Sequence, residues 1–430
     1  MPQNVTIREY GVLHRGGDYS GLDAASLPIN EWEWLLHKGT QLSSDARALF
    51  KPIIRGGQEV LQVLNYVGFL ELPTGIVIEI LPKVTEHETQ DSARYHLVKM
   101  LSRVNDLPYT RFEDASLKAY KRPLLEVLIG RFLATAQHLI NRGLRSEYLR
   151  VANDEYYLRG KLRVSAHLRQ PPHRRALFPV EYDEYRLERP ENKLLHWAID
   201  QVYHWSSESL HRVHARKLLT LLSSIPKSEE PEVDLACWRS DRLMQHYQPI
   251  KPWIDLIVSN RSPWIQSGQY RGISMLFPME QLFERYVEKV LRTQLSDGID
   301  LVAQPRAGWL AEHSGKDWFM LQPDMTVRKE KVNKAILDTK WKRIDMYKGD
   351  RRNKYGISQS DIYQLFAYGQ RCLPDGGALF LVYPKNENFT APLPVFSFDE
   401  KLKLWVTPFD LETDKLLTSQ WVTSTGWLSN

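Results

Sequence analysis

Gln322-Pro323-Asp324-Met325-Thr326-Val327 and, after it, Ile336-Leu337-Asp338-Thr339-Lys340-Trp341-Lys342 decide how this chain is read. Met320 to Arg328 reads as a strand, the polar Lys329 to Lys334 as a turn, and Ala335 to Lys342 as the returning strand of a hairpin. Side chains two apart on a strand project from one face, so Asp338 and Lys340 point together with Thr339 opposite. Asp324 joins them if the register brings its strand alongside. Ala335, Ile336 and Leu337 lead directly into Asp338, which places an acid at the end of an apolar run, where an unpaired carboxylate is costly. A lone Asp-x-Lys is usually a solvated strand edge; this context calls for a partner instead.

Two aspartates and the carbonyl of Thr339 make an oxygen set suited to Mg2+, a hard cation that keeps several waters, with Mn2+ able to substitute. Such an ion polarises a phosphodiester and lowers the pKa of an attacking water. Three roles stay open for Lys340: orienting that water, offsetting charge on phosphate oxygens, or transferring a proton after burial depresses its pKa.

The flanking segments read as helix and strand. From Met279 to Leu295, apolar residues recur at Met279, Leu282, Phe283, Tyr286, Val287, Val290, Leu291 and Leu295, one broad helical face. Glu280, Glu284 and Glu288 form an acidic stripe beside it, normally a solvated face; Glu284 is the choice for the site, with Glu280 as the alternative. Ser358 to Cys372 reads as a helix on which Gln364 and Tyr368, four apart, share a face. Gly377 to Tyr383 reads as a buried strand ended by Pro384.

The order helix, strand, strand, helix, strand, with Pro-Asp, Asp-x-Lys and Gln-x-x-x-Tyr in sequence, resembles the PD-(D/E)xK nuclease superfamily, and the Gln-Tyr element resembles its RecB-type branch. The chain is more specifically similar to McrC, the nuclease subunit of McrBC modification-dependent restriction systems. The closer match lies in Met279 to Tyr286, Gln322 to Val327, Ile336 to Lys342 and Tyr363 to Tyr368. Weaker matches are Tyr66 to Phe69, Ile78 to Lys83, Leu158 to Leu162, Tyr182 to Glu184 and Glu191 to Leu195. The resemblance implies metal ligation by Asp324 and Asp338, a catalytic Lys340, and Gln364 and Tyr368 supporting the site or the DNA strand. It implies double-stranded DNA carrying modified cytosine as substrate and an McrB-like AAA+ GTPase ring as partner, whose hydrolysis is stimulated. A docking role for residues 1 to about 270 follows from the same resemblance.

Whole-chain properties agree. The chain has 430 residues, 43% hydrophobic and 25% charged, ordinary for a globular protein of two or three domains. A net charge of +5 leans toward polyanions. Immediately after the hairpin, Lys342, Arg343, Lys348, Arg351, Arg352 and Lys354 face only Asp345 and Asp350, a loop suited to gripping phosphates, or else simply solvated. A second basic region, Arg159 to Arg175 around Pro171-Pro172, reads as a ribbon whose partner is DNA, a subunit or nothing.

Exclusions narrow the field. Cys237 and Cys372 alone build no disulfide framework, and neither a signal pattern nor a span of about 20 apolar residues is present, so a cytoplasmic protein off the membrane is expected. No G-x-x-x-x-G-K-[ST] occurs, so no nucleotide is expected on this chain. His204, His211 and His214 lack cysteine or acidic company for zinc.

The expected architecture is a multidomain α+β and α/β chain. A strand-rich domain covers residues 1–90, a mainly helical middle region with a basic β-ribbon 91–270, and a nuclease core with a central mixed sheet flanked by helices 271–430. Ser223 to Asp234 and Ser259 to Gly272 read as loops. Three functions remain: an endonuclease subunit working with a GTP-driven partner, a repair or recombination nuclease without one, and a non-catalytic AAA+ activator.

Overall fold

The computed structural model describes residues 4–39, 48–85, 88–107, 119–239, 241–259, 273–417 and 427. The expected loop at Ser259 to Gly272 lies almost wholly outside the described residues, as does the boundary near 270. By contacts the chain divides into two compact units, one of Leu125–Arg261 and one of Pro2–Leu124 together with Ser262–Asn430.

The N-terminal segment runs β1 (Asn4–Arg8), β2 (Val12–Arg15), β3 (Ala24–Leu27), α1 (Ile29–Gly39), β4 (Phe50–Arg55), β5 (Gln58–Val63), β6 (Tyr66–Glu71), β7 (Val77–Leu81) and α2 (Gln90–Val104). It is strand-rich as expected. The expected turn at Pro73-Thr74-Gly75 joins β6 to β7, with the Gly75 amide donating to the Leu72 carbonyl at 2.8 Å.

The unit Leu125–Arg261 holds α3 (Leu124–Arg142), β8 (Glu147–Glu155), β9 (Lys161–Leu162), α4 (Val164–Leu168), β10 (Phe178–Arg186), α5 (Pro190–Trp205), α6 (Ser209–Leu221), α7 (Pro231–Ala236) and α8 (Lys251–Ser259). The expected stripe on α3, Leu124, Leu125, Leu128, Ile129, Phe132 and Leu133, is buried throughout. The ribbon expected over Arg159 to Arg175 is not found there: that stretch holds only the two-residue β9, α4 and a turn at Pro172–Arg174, and it connects β8 and β10, which pair antiparallel over nine residues with β9 on the far side of β10. The expected loop 223–234 yields at Pro231, which opens α7 at a first-turn position where its missing N–H is no loss.

The chain continues with β11 (Ser274–Pro278), α9 (Met279–Arg292), β12 (Ile299–Ala303), β13 (Trp309–His313), β14 (Lys316–Met320), β15 (Met325–Lys329), β16 (Val332–Thr339), α10 (Gln359–Cys372), β17 (Gly377–Pro384), β18 (Phe396–Ser397), β19 (Leu402–Asp410) and β20 (Lys415–Leu416). Seven strands form one mixed sheet in the order β12-β15-β16-β17-β19-β18, with β20 on β19. The pairs β12·β15 and β15·β16 are antiparallel, whereas β16·β17 and β17·β19 are parallel. In β17 every residue from Ala378 to Pro384 is buried, and each large apolar side chain so placed contributes about 1.5–3 kcal/mol.

β11 returns to the N-terminal sheet, completing the order β1-β7-β6-β11. Gly68 makes that pairing possible. At φ +128° it faces Leu276 across the ladder, and a Cβ there would lie 1.9 Å from the Met275 carbonyl oxygen.

Three sequence expectations shift by a few residues. The strand expected from Met320 to Arg328 is broken between β14 and β15, because Pro323 has no N–H to give a ladder. The turn is tighter than Lys329 to Lys334: Glu330 and Lys331 take φ of +52° and +66°, a conformation that matches strand twist, and β16 resumes at Val332. Helix α9 ends at Arg292 rather than Leu295, where the Thr293 hydroxyl donates to the Val290 carbonyl at 2.7 Å.

Candidate active site

The hairpin β15·β16 carries the acids. Met325 stands opposite Leu337, so Asp324, one residue before β15, comes alongside the end of β16. Asp324 Oδ2 accepts from the Thr339 amide at 2.7 Å and from its hydroxyl at 2.8 Å. Its carbonyl accepts from the Gln304 amide at 2.8 Å. Thr339 therefore holds an acid, rather than only standing on the opposite face.

Asp338 is 1% exposed, and Lys340 Nζ lies 2.5 Å from its Oδ2. The pair is close enough for an ion pair, yet neither Asp338 oxygen accepts a hydrogen bond among the described residues. Burial, then the charge of Asp324, pushes the Asp338 carboxyl up to about 7 despite Lys340. Burial likewise raises Asp324, opposed by the Thr339 hydrogen bonds. A buried acid with orphaned oxygens beside a second acid is a donor set that fits a hard divalent cation.

Lys340 departs from one of its three expected roles. Burial pulls its pKa down, but Asp338, Asp324 and Asp361 outweigh that and leave it raised, so the amine stays charged.

Gln364 and Tyr368 do share a face of α10. The Gln364 amide donates to the Tyr368 hydroxyl at 2.8 Å, and that hydroxyl donates to the Gln322 carbonyl at 3.1 Å. Tyr368 thereby pins the backbone two residues before Asp324. Glu284 on α9 accepts from Gln304 at 2.9 Å, and burial followed by the charge of Asp324 raises its pKa. Glu280 lines the cleft described next. Among the described residues, Glu280, Glu284, Asp324 and Asp338 supply no trio of carboxylate oxygens all within 4.8 Å of one another.

Beside Lys340 opens a cleft of about 590 Å3, lined by Lys340, Trp341, Lys342, Arg343, Ser358 and Asp361, with Glu9, Tyr10 and Lys83 from the N-terminal segment. Sequence reading missed Glu9, Tyr10, Lys83 and Asp361. Asp361 carried a weak signal as an acid in the first turn of an expected helix beside Asp-x-Lys, and Lys83 closed the weak match Ile78 to Lys83; Glu9 and Tyr10, far upstream, carried none.

The basic loop 340–357 is tied down by contacts within itself and to residues 387–388. The Asp345 amide donates to Tyr355 O at 3.0 Å and the Met346 amide to Asn388 O at 2.8 Å. Lys342 Nζ donates to Gly356 O at 2.6 Å, Arg343 pairs with Glu387, and Lys348 with Asp345 at 3.3 Å. Arg351 and Arg352 are exposed. In the other unit, His211 joins Glu126 and Glu208, but Glu126 also accepts from Ser206 and Ser207 and serves the start of α6.

The family model of the McrBC 5-methylcytosine restriction system component matches residues 61–384. The chain belongs to that family. No curated protein matches it. Among solved structures, this McrBC component is similar to a chain of the refined half-complex from the tetradecameric assembly of Thermococcus gammatolerans McrB AAA+ hexamers with bound McrC. The identity is 19% and the TM-score 0.69, over 95% of each chain. It is also similar to a chain of the Thermococcus gammatolerans McrBC complex at 21% identity and TM-score 0.53, over 67% of this chain and 87% of that one. These likenesses establish a shared fold for the McrBC-family chain. Among the described residues no helix is long and apolar enough to cross a membrane.

Proposed function

We propose that this chain is an McrC-like, Mg2+-dependent endonuclease subunit that cleaves double-stranded DNA carrying modified cytosine. Its partner is an McrB-like AAA+ ring whose GTP hydrolysis it stimulates. The observation that carries the reading is the buried Asp338, neither oxygen accepting a hydrogen bond, under the charge of Asp324 and with Lys340 Nζ 2.5 Å from its Oδ2. Family membership supports the substrate, and the shared fold with a chain from an McrB–McrC assembly supports the partner. The hairpin flanked by α9, α10 and β17 supports a PD-(D/E)xK core.

Asp324, Asp338 and the carbonyl of Thr339 would hold the ion. Bound there, Mg2+ or Mn2+ supplies charge against the scissile phosphate and acidifies a water. Thr339 fixes Asp324, leaving Oδ1 for that work. Lys340, kept charged, offsets negative charge as the phosphate is attacked. Tyr368 and Gln364 hold the approach to Asp324. Lys342, Arg343, Lys348, Arg351 and Arg352 grip phosphates along the strand, positioning the duplex without reading its sequence.

The test is cleavage of a 5-methylcytosine duplex with and without the AAA+ partner, GTP and Mg2+. The chain alone is expected to cut poorly and the complete mixture to make double-strand breaks that EDTA stops. Strong unassisted cleavage of unmodified DNA would instead favour a repair nuclease.

A further inference from the structure

We infer that Glu9 is a positioning residue for the nuclease site, gripping the Trp341 indole and through it the backbone that presents Lys340. This rests on the nuclease reading above. Glu9 is 332 positions from Trp341 in sequence, follows β1 directly and is 0% exposed. Its amide donates to the Leu81 carbonyl at 2.9 Å, which fixes its backbone to the end of β7. Its Oε1 accepts from the Lys83 amide at 2.8 Å and from Trp341 Nε1 at 2.6 Å.

Trp341 is the residue after Lys340, and β16 has already ended at Thr339. Beyond the ladder the backbone keeps one sheet hydrogen bond, from the Lys340 amide to the Val382 carbonyl at 2.9 Å. The indole is the other anchor. It is 6% exposed, its ring lies 5.1 Å from that of Phe283 on α9, and its N–H ends on Glu9. With the indole held both by the Phe283 ring and through its N–H, the preceding Cα of Lys340 has little freedom, and Nζ is aimed at Asp338.

A carboxylate is a costly acceptor for this purpose. Glu9 Oε2 is buried and accepts no hydrogen bond among the described residues. An apolar pair at this place would satisfy packing without a buried acid, so a local rule is broken beside a catalytic lysine, where such exceptions concentrate. Glu9 also lines the same cleft as Lys340, Lys342 and Asp361, reaching it from the opposite end of the chain. The site is thus completed by the N-terminal segment rather than contained in residues 271–430.

The experiment measures kcat and KM for a 5-methylcytosine duplex using the full chain with its AAA+ partner, GTP and Mg2+. Glu9→Ala is expected to lower kcat by roughly tenfold to a hundredfold, the scale of a misplaced catalytic group, with KM for DNA little changed. Glu9→Gln keeps Oε1 as an acceptor and is expected to restore most of kcat. Trp341→Phe keeps a ring against Phe283 but loses the N–H, and is expected to match Glu9→Ala, with the double variant no worse than either single one. Wild-type kcat in Glu9→Ala, equal damage from Ala and Gln, or additive losses in the double variant would each overturn the inference. If Glu9→Ala does not fold, Trp341→Phe decides alone, and a wild-type kcat there overturns it. Asp338→Ala separates the two levels: if it cuts like wild type the nuclease reading fails, and if it is dead while Glu9→Ala is fully active only this inference fails.

Discussion

Thr339 gives both its backbone amide and its hydroxyl to a single oxygen of Asp324, at 2.7 and 2.8 Å. The acid that precedes β15 is thus locked to the last residue of β16, one position beyond Asp338, and the hairpin register fixes the two carboxylates relative to each other. Two donors to one oxygen leave the other free and hold the carboxylate against rotation.

Thr339→Val removes the hydroxyl donor and keeps the shape. It is expected to cost about 1 kcal/mol of stability, the usual size of one hydrogen bond, and to lower cleavage several-fold. Thermal unfolding and initial cleavage rates check it; an unchanged rate would mean that the amide alone orients Asp324.

Tyr368→Phe removes the hydroxyl that joins Gln364 to the Gln322 carbonyl. Tyr368 is buried, so the freed carbonyl loses its donor; a stability loss of about 1 kcal/mol and a clear fall in kcat are expected. Gln364→Ala is expected to do less, because Gln364 is exposed. Equal rates for wild type and Tyr368→Phe would confine this tyrosine to packing.

Without added metal, stability is expected to fall as pH rises toward neutrality. Burial lifts Glu9 from 4.5 to about 7, against hydrogen bonds from Lys83 and Trp341 and the charge of Lys83, with Glu280 adding to the rise. Asp338 goes from 3.8 to about 7, with Asp324, Lys340 and Asp361 facing it. For an acid whose pKa is higher folded than unfolded, the native state binds more protons between the two values, so stability declines across that window. The window runs from about 4 to about 7 here. Melting curves at fixed ionic strength should show the decline, and Glu9→Gln with Asp338→Asn should flatten it; an unaltered slope in both variants would contradict the assignment of these groups.

The hairpin and its acids were legible because an apolar run ending in Asp338 needs a partner, and only a strand return supplies one nearby. Residues 279–292 and 359–372 were legible by their apolar spacing, as was the strand Gly377–Pro384. The N-terminal wall of the cleft was not. Glu9, Tyr10 and Lys83 reach it through pairing of β1 with β7 and of β6 with β11, and such long-range pairings leave no period in the sequence. The break at Pro323 was not legible in the apolar pattern, because strand-like residues stand on both sides of it at Met320 and Met325 and the pattern alone does not show which ladder each half joins.

Exposed cations on the loop should set the salt dependence of DNA binding. Arg351→Ala and Arg352→Ala are each expected to reduce the slope of log affinity against log salt by about 0.9 if each touches one phosphate. Lys342 and Arg343 are restrained by Gly356 O and Glu387, so their removal also loosens the loop and should affect cleavage more than the slope. Fluorescence anisotropy over a salt series checks this, and unchanged slopes in both arginine variants would place the duplex elsewhere.

The most direct measurement pairs two readouts on Asp338→Ala: cleavage of a 5-methylcytosine duplex, and GTP hydrolysis by the AAA+ partner in the same mixture. The expected result is that cleavage disappears while stimulated hydrolysis persists. Cleavage at the wild-type rate by that variant would contradict the claim that Asp324, Asp338 and Lys340 form the site of phosphodiester hydrolysis.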